Sequence, residues 1–95
     1  MTLYFVKSGD RVKIGITSNW DSRLSSIRRG NAFDVEVIRI FHSDPETIVE
    51  LERDLSESLK DANPHNEWYH DCPQVRAAIE ELDRRFNPEN YSAPV

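Results

Sequence analysis

The sequence predicts a small α+β domain. Two short runs of alternating apolar and polar residues flank Ser8-Gly9-Asp10, as a hairpin requires. Later segments carry apolar side chains at helical spacing, and one more alternating run, residues 34–41, separates the first two of them.

Leu3-Tyr4-Phe5-Val6 and Val12-Lys13-Ile14-Gly15-Ile16-Thr17 form the first two strands. A four-residue loop, Ser8 to Arg11, pairs Lys7 with Val12 and hence Tyr4 with Gly15. Leu3 and Phe5 then share a core face with Val12, Ile14 and Ile16, while Tyr4, Lys13, Gly15 and Thr17 share the other. Gly15 opposite Tyr4 is expected to leave open space beside the phenol, where a ligand could approach. Val6 also falls on that second face and fits only where a helix covers part of it.

Ser18 or Asn19 caps the first helix, with Asp21 favourable in its first turn. Trp20, Leu24 and Ile27 form one buried stripe, and Arg23 lies about 60–70° from its centre, on the border. Gly30 and Asn31 end this helix. Asp34 to Phe41 alternates as a third, half-exposed strand. Ser43 or Asp44, then Pro45 and Glu46, starts the second helix, which runs to about Ala62. Its stripe is Ile48, Leu51, Leu55, Leu59 and Ala62, whereas Glu46, Glu50, Asp54, Glu57 and Asp61 point away. Glu52 alone sits beside the stripe, roughly 60° from its centre, where an unpartnered carboxylate is costly. Residues 63–66 make a turn and Glu67-Trp68-Tyr69-His70 a short extended piece. Pro73 opens a third helix carrying Val75, Ala78, Ile79, Leu82 and Phe86. The domain is expected over residues 1–86, with 87–95 as a C-terminal tail.

Ninety-five residues leave room for one core. The single cysteine, Cys72, excludes an internal disulfide and a Cys-based metal cluster, so a reducing, cytoplasmic setting is expected. No apolar run approaches the roughly 20 residues that span a bilayer, and the first residues lack the form of a signal peptide. The net charge of −5 is unevenly spread: residues 1–40 carry +3 and residues 41–95 carry −8. Local Lys/Arg clusters govern phosphate affinity more than the total does. Lys7, Arg11, Lys13, Arg28 and Arg29 are therefore candidate nucleic-acid contacts, against the alternative of an ordinary mixed, solvated surface. The acidic half faces water or a protein partner.

With these residues placed, the chain resembles the GIY-YIG nuclease superfamily, and within it the phage-type DNA-binding subfamily (the meiotically up-regulated gene class). Thr2-Leu3-Tyr4 stands at the first signature triplet and Lys13-Ile14-Gly15 at the second. Asp21-Ser22-Arg23-Leu24 matches the spacing to the family's helix arginine. Val49 to Leu55 looks like the helix that supplies the metal-binding glutamate, with Glu52 in that place, and Glu67-Trp68-Tyr69 looks like the subfamily's ending. The resemblance covers roughly residues 2–70.

What the resemblance implies is a three-stranded antiparallel sheet flanked by helices, and phosphodiester hydrolysis with one divalent ion, Mg²⁺ or Mn²⁺. Glu52 would hold the metal, Tyr4 would accept or orient the water's proton, and Arg23 would offset phosphoryl charge. Lys13 would favour the phenolate or bind phosphate. The expected function is a metal-dependent DNA endonuclease or nickase. One alternative is a DNA-binding module that has lost cleavage, since Lys13 replaces the second-triplet tyrosine and Ile27 stands where the family often has His or Tyr. Another is a phage-type interaction factor that blocks a host system; a homodimer or a protein partner would use the acidic half.

Each residue also has a plainer reading. Tyr4 can be an ordinary strand aromatic, Lys13 a solvent-facing lysine, and Glu52 a border carboxylate paired with an arginine such as Arg23. Trp68 and Tyr69 fill the core or stack on bases. His42, His65 and His70 are scattered and do not form a zinc set. Cys72 lacks a neighbouring histidine to activate it as a nucleophile.

Overall fold

The first strand lies inside the sheet and is buried on both of its faces, which decides where everything else packs. The computed structural model describes residues 1–30, 34–60 and 68–86. Strands β1 (Thr2–Ser8), β2 (Arg11–Thr17), β3 (Val35–His42) and β4 (Trp68–His70) form one antiparallel sheet in the order β3-β1-β2-β4. Helices α1 (Trp20–Arg29), α2 (Pro45–Ser58) and α3 (Pro73–Phe86) complete the chain's described part. The α+β class follows from the sequence, but the sheet has a fourth strand: the extended piece ending at His70 adds to the free edge of β2.

The hairpin register is the expected one. Lys7 pairs with Val12 and Tyr4 with Gly15, and the ladder closes one step further at Ser8 and Arg11. Gly9 then adopts φ +64°, the left-handed conformation that a two-residue hairpin loop with glycine first uses. Between β1 and β3 the register shifts after Phe5, which faces Arg39, while Val6 faces Val37. Ile38 is therefore the extra residue of a β-bulge.

Leu3, Phe5, Val12, Ile14, Phe41 and Tyr69 line one face, covered by Ile48, Leu51, Leu55 and Leu59 of α2's side and Val75, Ile79 and Leu82 of α3. Tyr4, Val6 and Ile27 form a second, smaller cluster on the opposite face, with Trp20, Val35, Val37 and Ile40 packed around it. Helix α1 thus supplies the cover that Val6 needs. Phe5 and Phe41 meet edge-on at 6.0 Å between centroids, and Phe41 meets Phe86 at 5.5 Å.

The caps follow the sequence closely. Asn19 accepts the Ser22 N–H at 3.2 Å, and Asp44 accepts both the N–H and the hydroxyl of Thr47 at 3.0 and 2.7 Å. Pro45 occupies the first turn of α2. That helix ends at Ser58, short of the expected Ala62; Leu59 caps it, and Ala62, the 63–66 turn and Asn31 lie outside the described residues.

One charge cluster ties the last helix to the hairpin. The Asp71 carboxylate accepts two bonds from the Arg76 guanidinium, both at 2.9 Å, and lies 2.9 Å from the Lys7 ammonium. The Asp71 N–H also donates to the Asp10 carbonyl at 3.1 Å. Hydrogen bonds from Arg76 and then Lys7 hold the Asp71 carboxyl at about 2, below the usual 3.8, against the opposing effect of burial.

Because the folded-state value is depressed, this stabilisation is complete above pH about 4 and is lost as pH falls toward 2. Asp71→Asn should cost about 1–2 kcal/mol at pH 7 and flatten the acid dependence over that window. Urea melts at pH 7, 4 and 2.5 measure both effects; an unchanged acid limb would show that the cluster does not hold α3.

Candidate nucleic-acid interface

Residues paired across an antiparallel ladder share a face, so the register places Tyr4 with Gly15, Thr2 with Thr17 and Ser8 with Arg11 on the side that carries α1. Tyr4 is only 2% exposed, and its ring packs against Trp20 with centroids 5.3 Å apart. A Cβ added at Gly15 would lie 2.6 Å from the Tyr4 Cζ and closer still to the hydroxyl oxygen. The open space expected beside the phenol is therefore filled by the phenol itself. Glycine is needed here so that the ring can lie on the neighbouring strand.

Helix α1 covers the β1–β3 half of this face. On the β2–β4 half, Arg11 pairs with His70 and Lys13 with Trp68. Arg11 and His70 are exposed and Lys13 and Trp68 half-buried. The Lys13 Nζ stands 5.6 Å from the Trp68 ring centroid, within cation–π range. Tyr69, between Trp68 and His70, points the other way and is 3% exposed in the main core. The period of two in the strand thus separates the aromatic pair: Tyr69 fills the core, and Trp68 joins the basic residues.

Helix α1 adds cations on the same side. Trp20 packs inward on Tyr4, and Arg23 lies one turn further on, exposed; Arg28 and Arg29 are exposed in the last turn. Arg11, Arg23, Arg28 and Arg29 form no ion pair among the described residues. Lys7, by contrast, is committed to Asp71 on the other side.

The candidate catalytic residues are placed as follows. Tyr4, Lys13 and Arg23 belong to the α1 side of the sheet. Glu52 rides on α2, which covers the opposite face. Its Oε1 accepts the Ser56 hydroxyl at 3.1 Å, and no arginine pairs with it among the described residues, so the Glu52–Arg23 pair does not form. Asp54 and Ser58 line a groove against Gln74, Ala77 and Glu81 of α3. By helical geometry Glu52 and Ser56 then lie on the flank of α2 turned away from α3. Helix α2 packs on β2, and β4 pairs only with Arg11, Val12 and Lys13, so Ile14 to Thr17 form an edge with no strand beyond it among the described residues. The two faces of the sheet meet at that edge.

Among the described residues, no three His, Cys, Asp or Glu side chains gather as a metal cage. His42 is engaged with the Thr2 hydroxyl at 2.7 Å, and His65 lies outside the described residues. Among the described residues Glu52 stands as a lone half-buried carboxylate, the donor chemistry of an ion that keeps its waters and draws further oxygens from a phosphate, as Mg²⁺ or Mn²⁺ does. Sequence reasoning missed Asp71. Its partners, Lys7 and Arg76, come from distant segments, and no local motif marks them.

The chain belongs to the T5orf172 domain family, whose model matches residues 1–87. This is a phage-type domain of the nuclease-like, DNA-binding kind. No curated protein and no solved structure matches the chain. Among the described residues, no helix is long and apolar enough to cross a membrane.

Gly15→Ala should cost about 1–3 kcal/mol, because a ring that is 2% exposed has nowhere to move. Tyr4→Leu in the same chain should recover part of that loss, since it removes the atoms the new methyl meets. Denaturant melts of the two single variants and the double variant test the coupling. Strict additivity would mean that the phenol does not rest on Gly15.

Proposed function

We propose that this T5orf172 domain binds DNA through the side of the sheet that α1 half covers, and that it belongs with the GIY-YIG-type domains. Placement of Tyr4 directly opposite Gly15 supports that relationship, because it joins the two signature-like triplets across one ladder. The observation that carries the binding reading is the set Arg11, Arg23, Arg28 and Arg29, which lack ion pairs among the described residues, on the same side of the sheet as Lys13. Side chains of this kind release counterions from a phosphate backbone. With an overall charge of −5, affinity rests on this local surface and falls steeply with salt.

A second reading adds cleavage at the open edge of β2. Arg23 and Lys13 would meet the scissile phosphate from the α1 side, and Glu52 would hold one Mg²⁺ or Mn²⁺ from the α2 side. Bound there, the ion would neutralise phosphoryl charge and supply an activated water. The flank of α2 that carries Glu52 favours this reading. Tyr4 would need to turn from its place over Gly15 before its hydroxyl could act on that water.

Gel shifts at several salt concentrations test binding. Arg11→Ala and Arg23→Ala should each weaken it and lower the salt slope by about one. Plasmid nicking with Mg²⁺ and Mn²⁺ tests cleavage: Arg23→Ala and Glu52→Gln should each reduce it about 100-fold or more, and Tyr4→Phe should abolish any activity that depends on the hydroxyl. Binding without nicking would leave a DNA-binding module. Equal nicking by every variant would remove the catalytic reading, and no shift at low salt would remove both.

A further inference from the structure

The β2–β4 half of the α1 side carries more than positive charge. Its two cross-strand pairs, Arg11 with His70 and Lys13 with Trp68, put an indole among three groups suited to phosphate, one of them an imidazole. A cation lies over the Trp68 ring at 5.6 Å. Beyond β4 no further strand pairs among the described residues, and α1 packs over the other half of this face, with Tyr4, Val6, Val35, Val37 and Ile40. The half-buried indole thus sits at a margin of the sheet beyond which no strand lies among the described residues.

A smooth duplex offers such a margin phosphates and groove edges but no free π-face, because its bases are already stacked on each other. An unpaired strand offers both parts: a base with a free π-face and a phosphate that can take the ammonium off the ring. Tyr69, immediately beside Trp68, is buried in the core, so β4 is pinned from beneath and the indole is held rather than loose. We propose that Trp68 and Lys13, with Arg11 and His70, bind an unpaired nucleotide of DNA, the base against the indole and its phosphates against the cations. The α1 arginines meanwhile hold the adjoining backbone. The preferred ligand is single-stranded DNA, or the unpaired arm of a branched or flapped duplex. This inference rests on the DNA-binding reading and specifies the substrate class of that surface.

The test compares a fluorescent oligo-dT with a duplex of equal length and sequence-independent design, by anisotropy at fixed low salt. Wild type should prefer the single strand. Trp68→Ala should weaken oligo-dT binding by about tenfold or more while leaving duplex binding within about twofold, and Trp68→Phe should restore most of the difference. A second readout stays available should Trp68→Ala unfold. In a Trp20→Phe background Trp68 is the remaining indole, and its emission should be quenched by oligo-dT and not by duplex. Equal losses for both ligands, or no quenching, would overturn the inference while leaving DNA binding intact. Binding of the duplex but not of oligo-dT by the wild type would overturn the inference alone; failure of both ligands to bind the wild type would overturn the DNA-binding reading as well.

Discussion

The register of the β1–β2 hairpin is the constraint on which the rest of the molecule depends. Strand β1 is buried on both faces, so each residue has a fixed side: Leu3 and Phe5 toward α2 and α3, Tyr4 and Val6 toward α1. A slip of one position would exchange the two sets and put a tyrosine ring where a leucine packs. Gly15 enforces the choice, because Tyr4 can lie flat over β2 only where there is no side chain. Packing of Trp20 against that ring then sets where α1 begins, and with it the position of Arg23.

Charge is arranged by the same two-sidedness. On the α2–α3 side, cations are largely neutralised internally: Lys7 and Arg76 by Asp71, Arg39 by Asp83, Arg84 by Glu81. These pairs hold helices to the sheet or to themselves. On the α1 side Arg11, Arg23, Arg28 and Arg29 have no ion pair among the described residues. Total charge hides this division, since the acidic excess belongs to residues 41–95, which build most of the other side.

Much of this was legible in the chain, for identifiable reasons. The hairpin register followed from alternation and a short polar loop, and the helix starts from Asn19 and Asp44-Pro45, because both signals are local. Glu52 at the border of its helix's buried stripe was also visible by periodicity, and the structure finds it half-buried there. Other features depended on distant partners. Nothing near residues 68–70 says that they pair with residues 11–13, because strand pairing over such a separation has no local signature. The same holds for Asp71, whose partners come from β1 and α3. The space beside Tyr4 was misjudged for a different reason: pairing identifies the neighbour of a side chain but not its rotamer, and here the ring lies across the strand instead of standing off it.

The short fourth strand gives the molecule an unusual dependence. Its three residues join the hairpin from far along the chain, so the indole and the lysine are neighbours only where the late segment docks on the hairpin, a docking that Asp71 ties to Lys7 and to Arg76 of α3. The hairpin and α1 carry the arginines, and β4 supplies the indole of Trp68. The meeting of indole and lysine at this margin is therefore a property of the finished molecule, whereas the arginines of the hairpin and α1 all come from the first thirty residues.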